Sequence, residues 1–339
     1  MYRCYALIIA IAVGLAAVVP VAGLAQVEQW NQKADMMGPR LFFTATAGDG
    51  LVYVMGGMLA QVMQSTHAYN PSTDEWSERA DMPTARAGMS SAVVDGKLYV
   101  IGGWTDTEPA ISTVEEYDPA ADTWRQRADM PTARALFSTA AVDGKIYAIG
   151  GIATNMGPVL PAVEEYDPVT DTWTRKTDMP NPRSGMAAAS VNGKIYVIGG
   201  APAVQGPVLS MVEEYDPRTD SWTPMSDMPT GRTGFTAETV NDRIYAIGGT
   251  TFVQGPGMQT VEEYDPAMDQ WGAKLDMPTA RVFLQSGEVD GKIYALGGVV
   301  ANIGPDILMT VEEYDAGVVS TAVDPMLKVT SVWGAIKKN

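Results

Sequence analysis

The feature that most constrains this chain is a ten-residue stretch that recurs six times at a nearly fixed interval. Its clearest copy is VNGKIYVIGG, at residues 191–200, and every copy ends in a glycine pair. The second glycines of the pairs are 46, 48, 49, 49 and 49 residues apart: Gly57, Gly103, Gly151, Gly200, Gly249 and Gly298. In a chain of 339 residues, a period of this length predicts one repeat architecture rather than several unrelated domains.

Each repeat contains four segments that are typical of β-strands. In the fourth repeat they cover residues 185–191, 194–200, 211–215 and 221–225. Asn192-Gly193 joins the first two segments, and this dipeptide supplies the positive φ angles that a tight hairpin needs. The apolar run of the second segment indicates a strand that is buried on both faces. Four short strands in about 49 residues are typical of a propeller blade.

The repeats also share a fixed order of motifs. An arginine is followed by an Asp-Gly or Asn-Gly turn, Gly-Gly, Val-Glu-Glu-Tyr-Asp-Pro, a tryptophan and Met-Pro. This order resembles the kelch repeat, and the resemblance extends from about Trp30 to Asp315. It implies an all-β, six-bladed kelch-type β-propeller with four antiparallel strands per blade. A β-sandwich is the alternative, but six near-identical four-strand units do not suit two sheets.

The two ends of the repeat region predict how the ring closes. Tyr314 lacks the tryptophan that follows Tyr117 and Tyr215 by seven residues, whereas Trp30 has no Gly-Gly unit before it. The segment at 27–36 is therefore a spare outer strand, and the last blade lacks one. An unpaired strand edge exposes backbone donors and acceptors. We expect the N-terminal strand to close the last blade, as in other kelch propellers.

Residues 1–25 are expected to be a signal peptide. A short basic start at Arg3 precedes an unbroken apolar run at residues 6–19 and a small-residue site ending at Ala25. We expect cleavage near Ala25 and a secreted or periplasmic protein; an uncleaved N-terminal anchor is the alternative. Residues 26–315 would form the propeller. The tail at 316–339 lies outside the repeat, and its role stays open between a docked strand pair and a sorting or anchoring signal.

Charge and residue counts restrict the function. The net charge of −17 argues against nucleic acid and anionic membranes as partners, because both require clustered lysine and arginine. Cys4 and His67 are the only cysteine and histidine, so we expect no cofactor, no metal and no catalytic residue of the Cys–His type. Some kelch propellers are copper oxidases with His, Tyr and Cys ligands, which this chain lacks. His67 stands where other repeats have a glutamate, and we interpret it as a diverged structural position.

The recurring carboxylates are expected to be structural. The two glutamates of each Glu-Glu pair point to opposite faces of a strand and cannot share a proton. We expect one glutamate of each pair to form an ion pair with a repeat arginine such as Arg134 or Arg183. Turns such as 118–122 place two aspartates four residues apart, but they supply too few oxygens for calcium. Turn capping by aspartate is the better interpretation.

Differences between repeats are where we look for function. The loops after Gly-Gly vary most, and in a kelch-like blade they surround one mouth of the central channel. They carry little charge and several apolar residues, as adaptable binding surfaces do. Alternatively, these loops pack on one another and bury their own side chains. The ligand-binding candidates are Met58, Trp104, Met156, Gln205, Phe252, Gln254 and Asn302.

Two classes of function follow. The first is an exported, non-enzymatic binding module that uses the loop face for a protein, peptide or glycan. The second is a periplasmic sugar mutarotase of the sialic-acid type, because some bacterial kelch propellers have that activity. A mutarotase needs an acid and a base near the channel mouth, and the loops hold few ionisable groups. We also expect a monomer without a membrane span in the mature chain.

Overall fold

The computed structural model describes residues 28–316, apart from 155–156, 204–205, 253–254 and 302–305. These residues form six antiparallel sheets of four strands each, arranged as propeller blades, so the predicted fold class is confirmed. The expected signal peptide and residues 317–339 of the tail lie outside the described residues. Within the part described, no helix has the length and apolar character needed to cross a bilayer.

Each blade runs from an inner strand at the central channel to an outer strand at the outer edge of the propeller. Blades 1 to 3 contain β2 (Thr44–Gly48), β3 (Leu51–Met55), β4 (Thr66–Asn70), β5 (Glu75–Arg79); β6 (Ser90–Val94), β7 (Lys97–Ile101), β8 (Val114–Asp118), β9 (Thr123–Arg127); β10 (Ser138–Val142), β11 (Lys145–Ile149), β12 (Val163–Asp167), β13 (Thr172–Arg175). Blades 4 to 6 contain β14 (Ala187–Val191), β15 (Lys194–Ile198), β16 (Val212–Asp216), β17 (Ser221–Met225); β18 (Thr236–Val240), β19 (Arg243–Ile247), β20 (Val261–Asp265), β21 (Gln270–Ala273); β22 (Gln285–Val289), β23 (Lys292–Leu296), β24 (Val311–Asp315), β1 (Gln29–Lys33). Successive inner strands contact one another around the whole ring.

The recurring stretch forms the two innermost strands of each blade. In blade 4 the turn residues Asn192 and Gly193 have φ angles of 51° and 74°, as a tight hairpin requires. The side chains of β15 at residues 195–198 are buried, which confirms a strand covered on both faces. At Gly200, with φ of 94°, a Cβ atom would lie 2.8 Å from the Ser184 carbonyl oxygen. The glycine pair therefore allows two backbone segments to pass closely.

Tyrosine and tryptophan connect each blade to its neighbour. Tyr117 is fully buried and lies 4.9 Å from the ring of Trp124, centroid to centroid. The Trp124 indole N–H donates to the Ala80 carbonyl of the preceding blade at 2.8 Å. Asp122 accepts from the Tyr117 hydroxyl and from the Ala80 N–H. These contacts recur from blade to blade, which is why the motif order is so regular.

The N-terminal strand closes the ring as predicted. β1 pairs antiparallel with β24, and Trp30 lies opposite Tyr314 with ring centroids 4.9 Å apart. The Trp30 indole donates to the Leu275 carbonyl at 3.0 Å, as the other tryptophans do to their preceding blades. Glu28 accepts the Leu275 N–H at 3.0 Å, the role that aspartate has elsewhere. Residues from the start of the repeat region therefore complete the last blade.

The glutamate pairs are structural, as expected. One member of each pair binds a fully buried arginine, for example Arg134 Nη2 with Glu164 Oε2 at 2.5 Å. The other member points away, and Glu165 accepts from Tyr147 and Lys145. Equivalent buried pairs occur in five blades: Arg86–Glu115, Arg134–Glu164, Arg183–Glu213, Arg232–Glu262 and Arg281–Glu312. The aspartate turns are capped by their own carboxylates, since Asp118 accepts from the Ala120 N–H at 3.0 Å.

Candidate functional site at the channel mouth

The loops after Gly-Gly lie at one end of the central channel. The first residue of each loop forms an isolated β-bridge with the residue directly after the repeat arginine of its own blade, as Trp104 does with Ala87. A cavity of about 420 Å³ opens at this end and is lined by residues of all six blades. Loop residues Ala201, Ala203, Thr250 and Gly255 are part of its wall. The loop face and the channel mouth therefore form one surface.

The mouth is bordered by a ring of residues that we call the rim. Each rim residue stands two positions after a repeat arginine: Phe42, Gly88, Leu136, Gly185, Gly234 and Phe283. A backbone hydrogen bond links each described neighbour to the next, beginning with the Gly88 N–H and the Phe42 carbonyl at 2.7 Å. Only the bond between Phe283 and Phe42 is missing from this described ring. There the two phenyl rings lie 4.9 Å apart instead.

All six rim residues have positive φ angles, between 50° and 63°. Glycine adopts this conformation without strain, and three blades have glycine there. Phe42, Leu136 and Phe283 are held in the same conformation with φ of 52°, 50° and 59°. A bulky residue in this region costs of order 1–3 kcal/mol and is concentrated at functional sites. The three bulky side chains of the rim are therefore present despite a local cost in conformational free energy.

Trp104 extends the apolar rim outward. Its ring makes an edge contact with Phe42, with centroids 5.3 Å apart. It also covers Gly88 so closely that a Cβ atom there would overlap the indole. A groove of about 450 Å³ runs beside it, bounded by Phe42, Leu136, Ile152 and the loop at 104–109. Trp104 is half-buried, with one side against the rim and the other toward this groove.

The other predicted binding residues are not brought together with Trp104. Met58 is half-buried in an apolar cluster with Leu41, Val282 and Val299. Phe252 is 68% exposed on its loop. Met156, Gln205, Gln254 and Asn302 lie outside the described residues. Two of the seven candidates pack beside rim residues: Trp104 contacts Phe42, and Met58 packs in the apolar cluster that also holds Phe42 and Phe283. The alternative, that loops bury their own side chains, describes Met58 but not Phe252.

Glu238 lies on β18, below the rim. It lines both the mouth cavity and a second cavity of about 270 Å³ deeper in the channel. Its Oε1 accepts from the Ser286 hydroxyl at 2.7 Å, and Ser286 also hydrogen-bonds Thr236. Burial raises the pKa of Glu238 to about 7, and the nearby Glu288 carboxylate adds to the rise. Near neutral pH this carboxyl can therefore both give and accept a proton.

The sequence analysis missed Glu238 and the rim, although the repeats contain a signal for both. The inner strands hold small residues where Glu238 stands: Thr46, Ala92, Ala140, Ala189 and Gly287. A carboxylate in a column of small residues is a departure that aligning the repeats reveals. The same alignment sets three bulky rim residues against three glycines.

Comparison with known proteins agrees with the repeat pattern. Residues 24–200, more than half of the chain, match a family model described as the KLHDC2/KLHL20/DRC7 Kelch-repeats domain. Residues 182–229 and 231–271 match the Kelch motif. The chain belongs to the kelch-repeat family. A solved kelch-like neighbour, titled "Structure of YjhT", has a TM-score of 0.71 at 18% identity and covers 82% of this chain and 96% of its own. At that identity it supports the fold alone, and no curated protein matches.

The channel of this kelch propeller has limited chemistry. The residues lining its two cavities include the carboxylates Glu238 and Glu288 but no lysine or arginine. Its hydroxyls mostly bond across blades, as Thr44 does with Ser91 at 2.6 Å and Ser90 with Thr139 at 2.9 Å. In the described ranges, no three His, Cys, Asp or Glu side chains converge on a metal position. What remains is an apolar rim above one proton-exchanging carboxyl.

Proposed function

We propose that this kelch propeller is an exported binding module that takes a protein, peptide or glycan at the channel mouth. Kelch propellers generally act as interaction modules, and the fold is that of a kelch propeller. The observation that carries the proposal is the rim, where three bulky side chains occupy a backbone conformation that suits glycine. Packing alone does not require them, because three blades close with glycine at the same position.

The proposed ligand contact has two parts. An apolar or aromatic group of the partner packs between Phe42, Phe283 and Trp104, whose rings already form a partly exposed cluster. A hydrogen-bond donor of the partner reaches Glu238 through the cavity. The acidic charge of the chain, −17, favours partners that are neutral or basic over anionic ones. An aromatic anchor of this kind commonly contributes 2 kcal/mol or more to binding, about thirtyfold in affinity.

The test relies on the difference between the three bulky rim residues and the three rim glycines. Phe283→Gly removes the side chain and at the same time relieves the left-handed strain, which offsets part of the packing lost against Phe42, so the variant should still fold. A glycan array and a panel of purified secreted proteins are screened with the secreted form of the chain. Ligands that bind the wild type should bind Phe283→Gly at least about tenfold more weakly.

Matched controls complete this experiment. Leu136→Gly makes the same change on the opposite side of the rim, away from the phenyl pair and beside the Trp104 groove. Phe252→Ala removes an exposed aromatic that does not contact the rim. A ligand whose affinity is unchanged by both rim variants would contradict the proposed site, whether or not Phe252→Ala weakens it. Export is tested separately, by mass spectrometry of the secreted chain, which should begin at Gln26.

A second candidate, a sugar mutarotase, is favoured by one observation. Glu238 faces a cavity large enough for a monosaccharide, and its pKa of about 7 suits proton transfer at neutral pH. Ser286 and Thr236 form a short hydroxyl chain on the same carboxyl and could relay the proton. NMR of freshly dissolved sialic acid would detect faster interconversion of its anomers. Acceleration by the wild type that is lost in Glu238→Gln would favour this candidate over pure binding.

A further inference from the structure

Five blades neutralise their buried arginine in the same way. In blade 2, Arg86 Nη2 contacts Glu115 Oε2 at 2.7 Å, and the Thr84 hydroxyl donates to the other oxygen of that carboxylate at 2.7 Å. Thr132, Thr230 and Thr279 do the same in blades 3, 5 and 6, and Asn181 does so in blade 4. Arg86 makes five hydrogen bonds in all, to Met82, Gly102, Thr113, Val100 and Glu115.

Blade 1 departs from this arrangement at both partner positions. His67 replaces the glutamate, and Gly38 replaces the threonine. Arg40 is only 2% exposed, yet among the described residues it donates only to the Gly56 carbonyl at 3.0 Å and to His67 Nδ1 at 3.1 Å. Its Nε has no partner among the described residues. A buried guanidinium with so few acceptors and no carboxylate is costly.

Among the described residues, no carboxylate forms an ion pair or a hydrogen bond with Arg40. Burial lowers the pKa of Arg40 to about 10, so the guanidinium is still a cation at neutral pH. Burial and the charge of Arg40 lower the pKa of His67 to about 4, so the imidazole is neutral. The charge of Asp81 acts on His67 in the opposite direction, but this carboxylate accepts from Gln64. The equivalent carboxylate in blade 2 is Asp129. Its charge acts on Arg86 together with the charge of Glu115, so it does not replace the glutamate.

The blade 1 site also has room and access. A Cβ atom on Gly38 would have no other atom within 4 Å, so the space of the missing threonine is open. Gly38 and His67 are both partly exposed. Because Arg40 donates to Nδ1 of the neutral imidazole, the ring proton is on Nε2, which can donate to a ligand. The open position at Gly38, where the other blades have the side chain that holds the carboxylate, and the Nε2–H of His67 together suit a small anion.

We propose that blade 1 binds a compact monovalent anion, a carboxylate or a chloride ion, against Arg40. The anion takes the role that the glutamate carboxylate has in the other five blades. This site belongs to the blade interior and is independent of the ligand proposed for the channel mouth.

The test measures the melting temperature of the full chain in titrations with sodium formate and, separately, with sodium chloride. Sodium gluconate, whose anion is much bulkier than formate or chloride, keeps the ionic strength constant. The wild-type melting temperature should rise with the logarithm of the formate or chloride concentration, since the ion binds only the folded chain. The salt that acts at the lower concentration identifies the anion as carboxylate or halide.

His67→Glu is the matched variant, because it restores the pair that the other blades have. It should melt above the wild type in gluconate alone and should lose the response to both small anions. Gly38→Thr with His67→Glu recreates the complete blade 2 arrangement and replaces the single variant if that one folds poorly. His67→Gln adds no charge and should keep the anion response. An equal response in wild type and His67→Glu, or no response in the wild type, would overturn the proposal.

Discussion

Replacing Glu238 by glutamine tests whether this carboxyl is held protonated in the folded channel. Burial raises its pKa from 4.5 to about 7, so the folded state binds the proton more tightly than the unfolded state does. The stabilisation from this proton is fully present below pH 4.5 and is lost as the pH rises through 7. Glutamine keeps the acceptor for Ser286 and is neutral at every pH. The difference between variant and wild type therefore isolates the ionisation of Glu238.

The magnitude follows from the size of the pKa rise. A change from 4.5 to about 7 corresponds to at most about 3 kcal/mol of lost stability once Glu238 is fully ionised, and to less where the half-buried carboxyl contacts solvent in the cavity. Wild type and Glu238→Gln should therefore have similar unfolding free energies near pH 4.5, and the variant should be more stable by up to about 3 kcal/mol above pH 8. Urea unfolding at five or six pH values between 4.5 and 9 measures this difference.

Two results would refute this reasoning. A difference between variant and wild type that does not change with pH would mean that Glu238 ionises alike in the folded and unfolded states. A variant that is less stable than the wild type at pH 9 would mean that the ionised carboxylate is stabilised by the channel. Glu108→Gln, on an exposed loop, controls for the removal of one negative charge from an acidic chain.

Three further predictions concern closure, the loop face and metals. Trp30→Ala should destabilise the propeller by about 3 kcal/mol in thermal or urea unfolding, comparably to Trp222→Ala, because both indoles stack on a buried tyrosine and bond to the preceding blade. An equal melting temperature for a chain that lacks residues 27–36 would contradict closure by β1. Trp104→Ala should lower the melting temperature far less than Trp173→Ala and should weaken ligand binding; an equal loss of stability would make Trp104 a core residue. Elemental analysis after chelator treatment should find no stoichiometric calcium, copper or zinc, and a retained metal would show the ligand count to be misleading.

The fold could be predicted almost completely because every blade repeats the same packing problem. Each blade has to bury its two inner strands and stack a tyrosine on a tryptophan, and five of the six neutralise a buried arginine with a glutamate, so the residues that do this recur at a fixed period. The closure was predictable from two unmatched ends, Trp30 and Tyr314. The role of Glu28 was not, because a glutamate before the strand replaces an aspartate that elsewhere follows the tyrosine by five residues. Glu28 is therefore equivalent to these aspartates in its position in the folded propeller but not in its position in the sequence.

The candidate site was less predictable because it depends on rare departures within conserved columns. The loops attracted attention through their variability, yet only Trp104 and Met58 among their candidates are seen beside rim residues. Phe42 and Phe283 stand two positions after the repeat arginines and resemble core residues in sequence. Their positive φ angles, which distinguish them, follow from the backbone ring that joins the blades. Glu238 lies in a strand, where a sequence pattern cannot say that its side chain lines a cavity.

A propeller of similar blades has near-sixfold symmetry at its channel, whereas a protein, peptide or sugar has none. A specific ligand must therefore be recognised where the blades differ. Most of the departures described here lie in three consecutive blades, 5, 6 and 1: Glu238 and Glu288, Phe283, Phe42, and the Arg40–His67 site. The one missing bond of the rim is also between blades 6 and 1, beside the blade that β1 completes. Trp104 in blade 2 and Leu136 in blade 3 are the departures outside this part of the ring. Closure joins the chain ends between blades 6 and 1, and sequence change there can build a site without disturbing the core that the blades share.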